Sequence, residues 1–385
     1  MSFSSLHALA RSVRARLSAP GDRSARRLVG ALALAASAAS AACDPFNTGF
    51  DDVEGARTYR ASRVVPASQR LGPSGAPLLR IMNYNVKFAG ARIDFFFDCH
   101  GDEVLMKKST VFRNLEGLAA KINQVDPDVL VVQEVDIASK RSAYVDQVQW
   151  LLDHTALNYA VYASQWRADY VPSDGLGPVD SGNAILSKFP LTNGTRIALS
   201  LRTDQSALER YFYLRRNLLT ADLEVDPPVR LVAVHAEAYS KDGTKKEHIE
   251  RFEAELDAAP GIVIGAGDLN TLPPGSDVVS GFPDSVCTNE DFVADDYSAE
   301  DTWLVSLYED YTPAIPLADY HADNSAYFSH TTDKDGTWNR MLDYVFTNAR
   351  VVPGSGLVHQ DESRGGMATM PLSDHAPITV EVELP

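Results

Sequence analysis

From Leu78 onward, short runs of apolar and β-branched residues recur between polar loops. LLRIMNYN (78–85), DVLVVQEV (128–135), NYAVYAS (158–164), SGNAILSKF (181–189) and LLTADLEV (218–225) each predict a strand. So do VRLVAVHAEA (229–238), GIVIGAGD (261–268), MLDYVFTN (341–348) and APITVEVEL (376–384). Several of these runs are almost continuously hydrophobic rather than alternating, the pattern of strands covered on both faces. Three other stretches have helical spacing. VFRNLEGLAAKINQV places Val111, Leu115, Leu118, Ala119 and Ile122 on one face, with Pro127 just beyond it. SAYVDQVQWLLDHT (142–155) and KKEHIERFEAELDAA (245–259) are amphipathic as well. Strands and helices interleave without a strict βαβα rhythm, which predicts an α/β sandwich of mixed sheets rather than a doubly wound sheet or a barrel.

Two long stretches interrupt the pattern. Residues 89–108 carry Phe95–Phe97, Cys99 and His100, and residues 275–335 are rich in loops. Long loops on a rigid scaffold commonly carry specificity. The aromatic residues of the second stretch (Trp303, Tyr308, Tyr311, Tyr320, Tyr327) fit two descriptions, the lining of a cleft or a local core. No internal repeat or low-complexity tract is present.

The N-terminus differs from the rest. Residues 1–42 hold six Arg against one Asp, then an apolar, alanine-rich run from Leu28 to Ala42. A basic stretch, a short apolar core and small residues read as a secretion signal. The run is too short for a membrane span. Ser40-Ala41-Ala42-Cys43 resembles a relaxed lipoprotein box, with Ser40 where a large aliphatic residue is usual. Simple cleavage near Ala39–Ala41 is the competing reading. Export is expected either way, to the cell envelope as a lipoprotein or to the exterior. Residues 43–76 are polar with scattered Gly, Pro and Ser, and read as a flexible tether before a domain at 77–385.

Charge changes the picture in one respect. The whole chain carries −17, and residues 1–42 contribute +5, so the remainder carries −22. So negative a field disfavours indiscriminate adhesion to nucleic acid or anionic lipid. It does not exclude phosphate chemistry, because a bound cation inverts the field locally. Cys99 and Cys287 fit either a disulfide or two free thiols.

Polar residues at the ends of the apolar runs carry the candidate chemistry. In GDLN, Asp268 closes a strand where it can orient or deprotonate a water, and Asn270 can offer a neutral amide to a phosphate oxygen. Gly265 and Gly267 fit close approach of backbone and ligand. In SDHAPI, Asp374 and His375 pair a carboxylate with an imidazole suited to act as base or transition-state stabiliser. Asp343, after Trp338 and Arg340, is placed to hold the His375 ring by its second nitrogen. Glu134 follows the four apolar residues Val129–Val132 and Gln133, where an unpaired acid is costly and a cation is the simplest partner. Asn85, at the matching end of the first strand, adds an oxygen ligand. One carboxylate, an amide and waters suit Mg²⁺ or Mn²⁺; no His/Cys pairs have close zinc-ligand spacing. His235 follows four apolar residues and fits a phosphate contact, protonated when the phosphate is bound.

Taken jointly over roughly Leu78 to Leu384, these motifs and SGNAILSKFPL resemble the endonuclease/exonuclease/phosphatase family, the deoxyribonuclease-I-like superfamily. The resemblance implies a four-layered α/β/β/α sandwich with two packed mixed β-sheets and a site at one edge. It implies hydrolysis of a phosphoester by in-line attack of water with a divalent cation, Mg²⁺ or Mn²⁺. Carried over, Glu134 and Asn85 are cation ligands with Asp374 near the metal, and Asp268 aligns the water. Asn270, His235 and Asn183 are phosphate contacts, and Asp343 and His375 form the coupled carboxylate–imidazole pair. The family acts on several phosphoesters, so the core does not name the substrate. A nuclease-like phosphodiesterase is the first expectation. A sphingomyelin, phospholipid or inositol-phosphate phosphoesterase is the alternative, and a non-catalytic surface-binding module is the reading from another class. No protein partner is evident, a monomer is expected, and Cys43 offers membrane attachment. The Phe-rich insertion at 89–108 and Met341, which lengthens the Arg340–Asp343 spacing, depart from the family pattern.

Overall fold

A computed structural model describes residues 44–99, 101–287 and 294–385; the arginine-rich segment, Cys43 and His100 lie outside these. Among the described residues the first strands are β1 (Val53–Gly55), β2 (Arg57–Arg60), β3 (Arg70–Leu71) and β4 (Pro77–Asn85). Next come β5 (Val129–Asp136), β6 (Tyr159–Val171), β7 (Gly177–Ser187), β8 (Leu191–Ala198), β9 (Asn217–Leu223) and β10 (Val229–His235). The last are β11 (Ile262–Asp268), β12 (Thr312–Pro313), β13 (Asp343–Thr347), β14 (Arg350–Val351), β15 (Leu357–Val358) and β16 (Ile378–Glu383). The helices are α1 (Lys108–Val125), α2 (Gln147–His154), α3 (Ala207–Phe212), α4 (Thr244–Asp257), α5 (Val305–Asp310) and α6 (Leu317–Ala322).

The strands form two sheets. One runs β1-β8-β9-β10-β11-β13-β12; the other runs β14-β16-β4-β5-β7-β6-β2, with β3 on β4 and β15 on β16. Each sheet contains one parallel pair, β10–β11 and β4–β5, among antiparallel neighbours. Parallel strands run the same way, so their C-terminal ends and the loops that follow share one rim. Asn85, Glu134, His235 and Asp268 all come from those ends.

Alternation along the strands builds the layers. In β4, Leu79 and Ile81 face the other sheet and join Val129, Val131, Leu218, Leu231, Ile264 and Phe346 in the central core. Met82 and Tyr84 face the opposite way and pack with Leu115, Leu118, Ile122 and Leu151 of α1 and α2. Ile249, Phe252 and Leu256 of α4 cover the outer face of the other sheet. The result is the expected α/β/β/α sandwich. Gly265 and Gly267 serve this packing rather than ligand approach. A Cβ at Gly265 would lie 2.6 Å from the Phe252 ring, and one at Gly267 only 2.0 Å from the Val234 carbonyl oxygen.

Two expectations change, for the tether and for the start of one helix, and the open readings of the aromatic residues and the cysteines are resolved. The tether is not one: β1 pairs with β8, β2 with β6 and β3 with β4. Ahead of them, the Asp169 N–H donates to the Phe46 carbonyl at 2.8 Å, and the guanidinium groups of Arg167 and Arg196 lie 4.2 and 4.0 Å from the centre of the Phe50 ring. Short, half-exposed edge strands carry too little periodicity to show in sequence, because their order comes from the strand beside them. The aromatic residues of 275–335 form core rather than cleft: Tyr311 and Tyr320 are buried in it, and Trp303, Tyr308 and Tyr327 pack against it. Helix α2 begins only at Gln147, where the Asp146 carboxylate accepts from the Gln149 N–H at 3.1 Å and caps it. Cys99 and Cys287 are free thiols.

Two stability predictions follow from buried charge. His359, just after β15, is buried with Nε2 on the Thr379 hydroxyl at 2.8 Å. Burial, reinforced by Lys121, pushes its imidazole down to about 4. The unfolded chain therefore binds a proton that the fold refuses between about pH 6.5 and 4, and stability falls on acidification through that window. Wild type is expected to lose about 3 kcal/mol more than His359→Gln between pH 7 and pH 4 in urea titrations. Elsewhere, Arg340 donates to both Asp284 oxygens at 2.8 and 3.0 Å and to Asp295 at 2.6 Å, over the Phe282 ring. Arg340→Met strands two carboxylates and should cost about 3–5 kcal/mol in the same assay.

Candidate active site

Asp268 is the meeting point of the rim. The parallel register sets it beside His235 of β10, and the antiparallel register sets it beside Asp343 of β13. Its Oδ2 accepts from the Asn85 amide at 3.1 Å, across the gap between the two sheets. The same oxygen is 3.5 Å from His235 Nε2 and 3.6 Å from His375 Nε2. Its other oxygen accepts from the Asn270 N–H at 2.9 Å. Burial drives the Asp268 carboxyl up, with the Asp343 charge adding to the shift and His375 opposing it. Such a carboxyl suits a proton acceptor near neutral pH.

His375 is held from behind. Its Nδ1 lies 2.7 Å from Asp343 Oδ2. Asp343 is fully buried and in turn accepts from the Ser329 hydroxyl at 2.8 Å and the Asn83 amide at 3.2 Å. The Gln133 amide supports Asn83 at 2.8 Å, so a polar ladder runs between the sheets beneath the site. Burial acts to lower the His375 imidazole, but the carboxylates of Asp343 and Asp268 outweigh it and hold it well above its ordinary range. His375 is thus an imidazolium at neutral pH, a donor toward a phosphate or a leaving oxygen rather than a base.

His235 is the opposite case. Burial, with the Arg216 charge adding, holds its imidazole well below the usual range. The Gln165 amide nitrogen lies 3.3 Å from its Nδ1, and Arg216 reaches the Gln165 oxygen at 3.5 Å. A donor at Nδ1 leaves the ring proton on Nε2, facing Asp268. His235 is therefore a neutral donor in this state; the sequence expectation of an imidazolium concerned the phosphate-bound site.

Glu134 owes its position to a bulge. The register between β5 and β7 jumps between Val132 and Val135, and Glu134 adopts φ 56° there. Its carboxylate accepts from the Asn85 amide at 3.3 Å and lies 4.0 Å from His235 Nε2. Burial raises its carboxyl, and the Asp374 charge adds to this. Among the described residues no lysine or arginine pairs with it directly. Asn183 of β7 lies opposite the bulge, fully buried, with neither amide atom hydrogen-bonded among the described residues. Asn270, at φ 51°, donates its amide to the Ala236 carbonyl at 3.1 Å, and Lys245 of α4 holds its carbonyl at 2.9 Å.

The rim thus gathers Asn85, Glu134, His235, Asp268, Asn270, Asp343 and His375, with Asn183 beside the Glu134 bulge. Asp374 is adjacent in chain but differently engaged: its Oδ2 is 3.0 Å from the Lys87 ammonium. Sequence reasoning missed Lys87, Gln165, Arg216 and Ser329. Lys87 lies two residues after Asn85 and was detectable; nothing local marks the others.

Residues 82–375 match the model of the Endonuclease/Exonuclease/phosphatase family. Among solved structures, an endonuclease/exonuclease/phosphatase from Beutenbergia cavernae DSM 12333 is similar at 20% identity, covering 80% of this chain and 72% of that one, with a TM-score of 0.51. A family protein from Leptotrichia buccalis C-1013-b aligns at 15% identity over 80% of this chain and 100% of that one, TM-score 0.48. A humanized D. rerio TDP2 aligns at 17% over 80% and 99%, TM-score 0.46. At these identities the likeness is one of fold. No curated protein matches the chain.

Proposed function

The chain belongs to the endonuclease/exonuclease/phosphatase family, whose members are phosphoric ester hydrolases, and from that premise we propose that it is an exported, divalent-cation-dependent phosphodiesterase. The observation that carries this reading is the convergence on Asp268 Oδ2 of one amide and two imidazoles within 3.1–3.6 Å, with Asp343 behind one of them.

Glu134 and Asn85 would hold Mg²⁺ or Mn²⁺. The fit rests on a half-buried carboxylate, held above its ordinary range, that has no lysine or arginine partner among the described residues and shares an amide with Asp268. When bound, the cation supplies a positive centre for the phosphate oxygens. Asp268 orients the attacking water and takes its proton. His235 and Asn270 hold the phosphate, and the unpaired Asn183 amide is a further contact. His375, charged and clamped by Asp343, supports the developing negative charge and gives its proton to the leaving oxygen.

Nucleic acid is the first substrate reading. Arg215 is half-exposed, with its N–H bonded to the carbonyl of Gln165, whose amide meets His235, and there it suits a flanking phosphate. Arg216, the next residue, is buried and adds nothing to an open groove. One observation favours a phospholipid headgroup instead. Phe97, Leu105, Tyr144 and Tyr170 are exposed around the insertion, whose Phe95 packs inward with Phe88 and with Trp166 of β6. A hydrolysis panel of plasmid DNA, RNA, sphingomyelin, inositol phosphates and bis-p-nitrophenyl phosphate separates the two. EDTA is expected to abolish turnover, and Mg²⁺ or Mn²⁺ to restore it. Activity that survives exhaustive chelation sinks the cation reading.

A further inference from the structure

Lys87 stands in the site as a buried cation between two carboxylates. It opens a turn in which Lys87, Phe88 and Ala89 all have positive φ, 43°, 45° and 52°. Consecutive non-glycine residues in that region are costly, and the surroundings hold them there. Asn85 Oδ1 accepts from the Lys87 N–H at 3.1 Å, the Gln147 amide donates to the Phe88 carbonyl at 2.8 Å, and the Asn114 amide donates to the Ala89 carbonyl at 2.8 Å. This turn delivers the ammonium 2.7 Å from Asp98 Oδ2, in the insertion, and 3.0 Å from Asp374 Oδ2.

Asp374 also belongs to a second group of potential ligands. One ligand atom each of His330, Asp374 and His375 falls within 4.8 Å of the others, and all three residues are buried. Among the described residues His330 Nδ1 has no hydrogen-bond partner, although the residue is only 8% exposed, and its ring centre is 4.4 Å from that of His375. Asp343 already supports His375 from behind, as an outer carboxylate commonly supports a metal-bound histidine. Two imidazoles and a carboxylate form a set that borderline cations such as Zn²⁺ and Co²⁺ take readily. A cation bound there would occupy the imidazole on which the proposed reaction depends.

We propose that Lys87 is a built-in cation that keeps the His330–Asp374–His375 set closed to metal, so that His375 stays free and the divalent ion binds only at Glu134 and Asn85. The ammonium saturates Asp374 and repels a dication from its neighbourhood. Arg92, bonded to the Thr331 and Ser373 carbonyls at 3.0 and 3.1 Å, adds positive charge on the same side. It does not replace Lys87, because removing the ammonium also releases the negative charge of Asp98. The inference deepens the cation-dependent reading and rests on it for the role of His375.

The test is a count of Co²⁺ per chain by calorimetry and visible absorption on wild type, Lys87→Met and Lys87→Arg. Lys87→Met is expected to take one more ion than wild type, with an absorption band that His330→Ala removes from the Lys87→Met background. Lys87→Arg keeps the wild-type count. Equal counts for wild type and a folded Lys87→Met overturn the proposal. If Lys87→Met does not fold, His330→Ala in the otherwise wild-type protein decides. An unchanged count supports a closed site, and the loss of one ion shows that the site was open with Lys87 in place. A wild type that binds no Co²⁺ sinks the cation reading, while the difference between variants still decides the role of Lys87.

Discussion

Asp268→Asn is expected to lower kcat by about four orders of magnitude with the fold intact. The substitution keeps the shape of the side chain and its link to the Asn270 N–H, but it removes the proton acceptor. It also turns one end of the group into a donor facing the Asn85 amide and two imidazoles, all of them donors. Stability points the other way. Burial holds the Asp268 carboxyl above its ordinary range, so the charged form is less stable in the fold than in the unfolded chain. By linkage this group costs stability as pH rises past its unfolded value, and the neutral amide escapes that cost. Set against the donor–donor contacts, this should leave the variant folded, with a melt close to that of wild type at pH 7. Turnover of bis-p-nitrophenyl phosphate together with a thermal melt checks both halves. A folded variant with near-normal turnover would falsify the assignment of Asp268.

His375→Ala is the second large effect, a fall in kcat of about three orders of magnitude or more. Asp343→Asn should follow it closely, although Asp343 touches no substrate. The 2.7 Å contact and the charge of Asp343 set both the orientation of the ring and its protonation. Without them the His375 imidazole falls back toward its ordinary range and is largely neutral at pH 8. The two changes are expected not to add, because they disable one unit. The double variant should be no slower than His375→Ala alone, and an NMR titration of Asp343→Asn should show the imidazole titrating at lower pH than in wild type. Additive losses, or a ring that titrates as in wild type, count against the pairing.

Much of this was visible in the chain. Long apolar runs reveal strands because burial on both faces demands them, and a polar residue that closes such a run stands out. That contrast exposed Asn85, Glu134, His235, Asp268 and Asp343. Asp374 and His375 stood out by adjacency. The same reasoning failed where order comes from a neighbour rather than from local pattern. β1 and β2 are three and four residues long and read as linker, yet they close the edges of both sheets. Gln165 sits mid-strand in ordinary surroundings, and nothing in the sequence says that Arg216, unlike Arg210 and Arg215, is buried.

The division has a physical basis. Residue type and period set what a segment can bury and what a side chain can donate or accept, and those properties are local. Whether His375 is charged and His235 neutral, and whether Asp374 meets a metal ion or Lys87, depend on distances of 2.7–3.3 Å between groups far apart in the chain. At such distances the sign and size of each interaction are decided by how the two sheets stack, and only the tertiary structure carries that information.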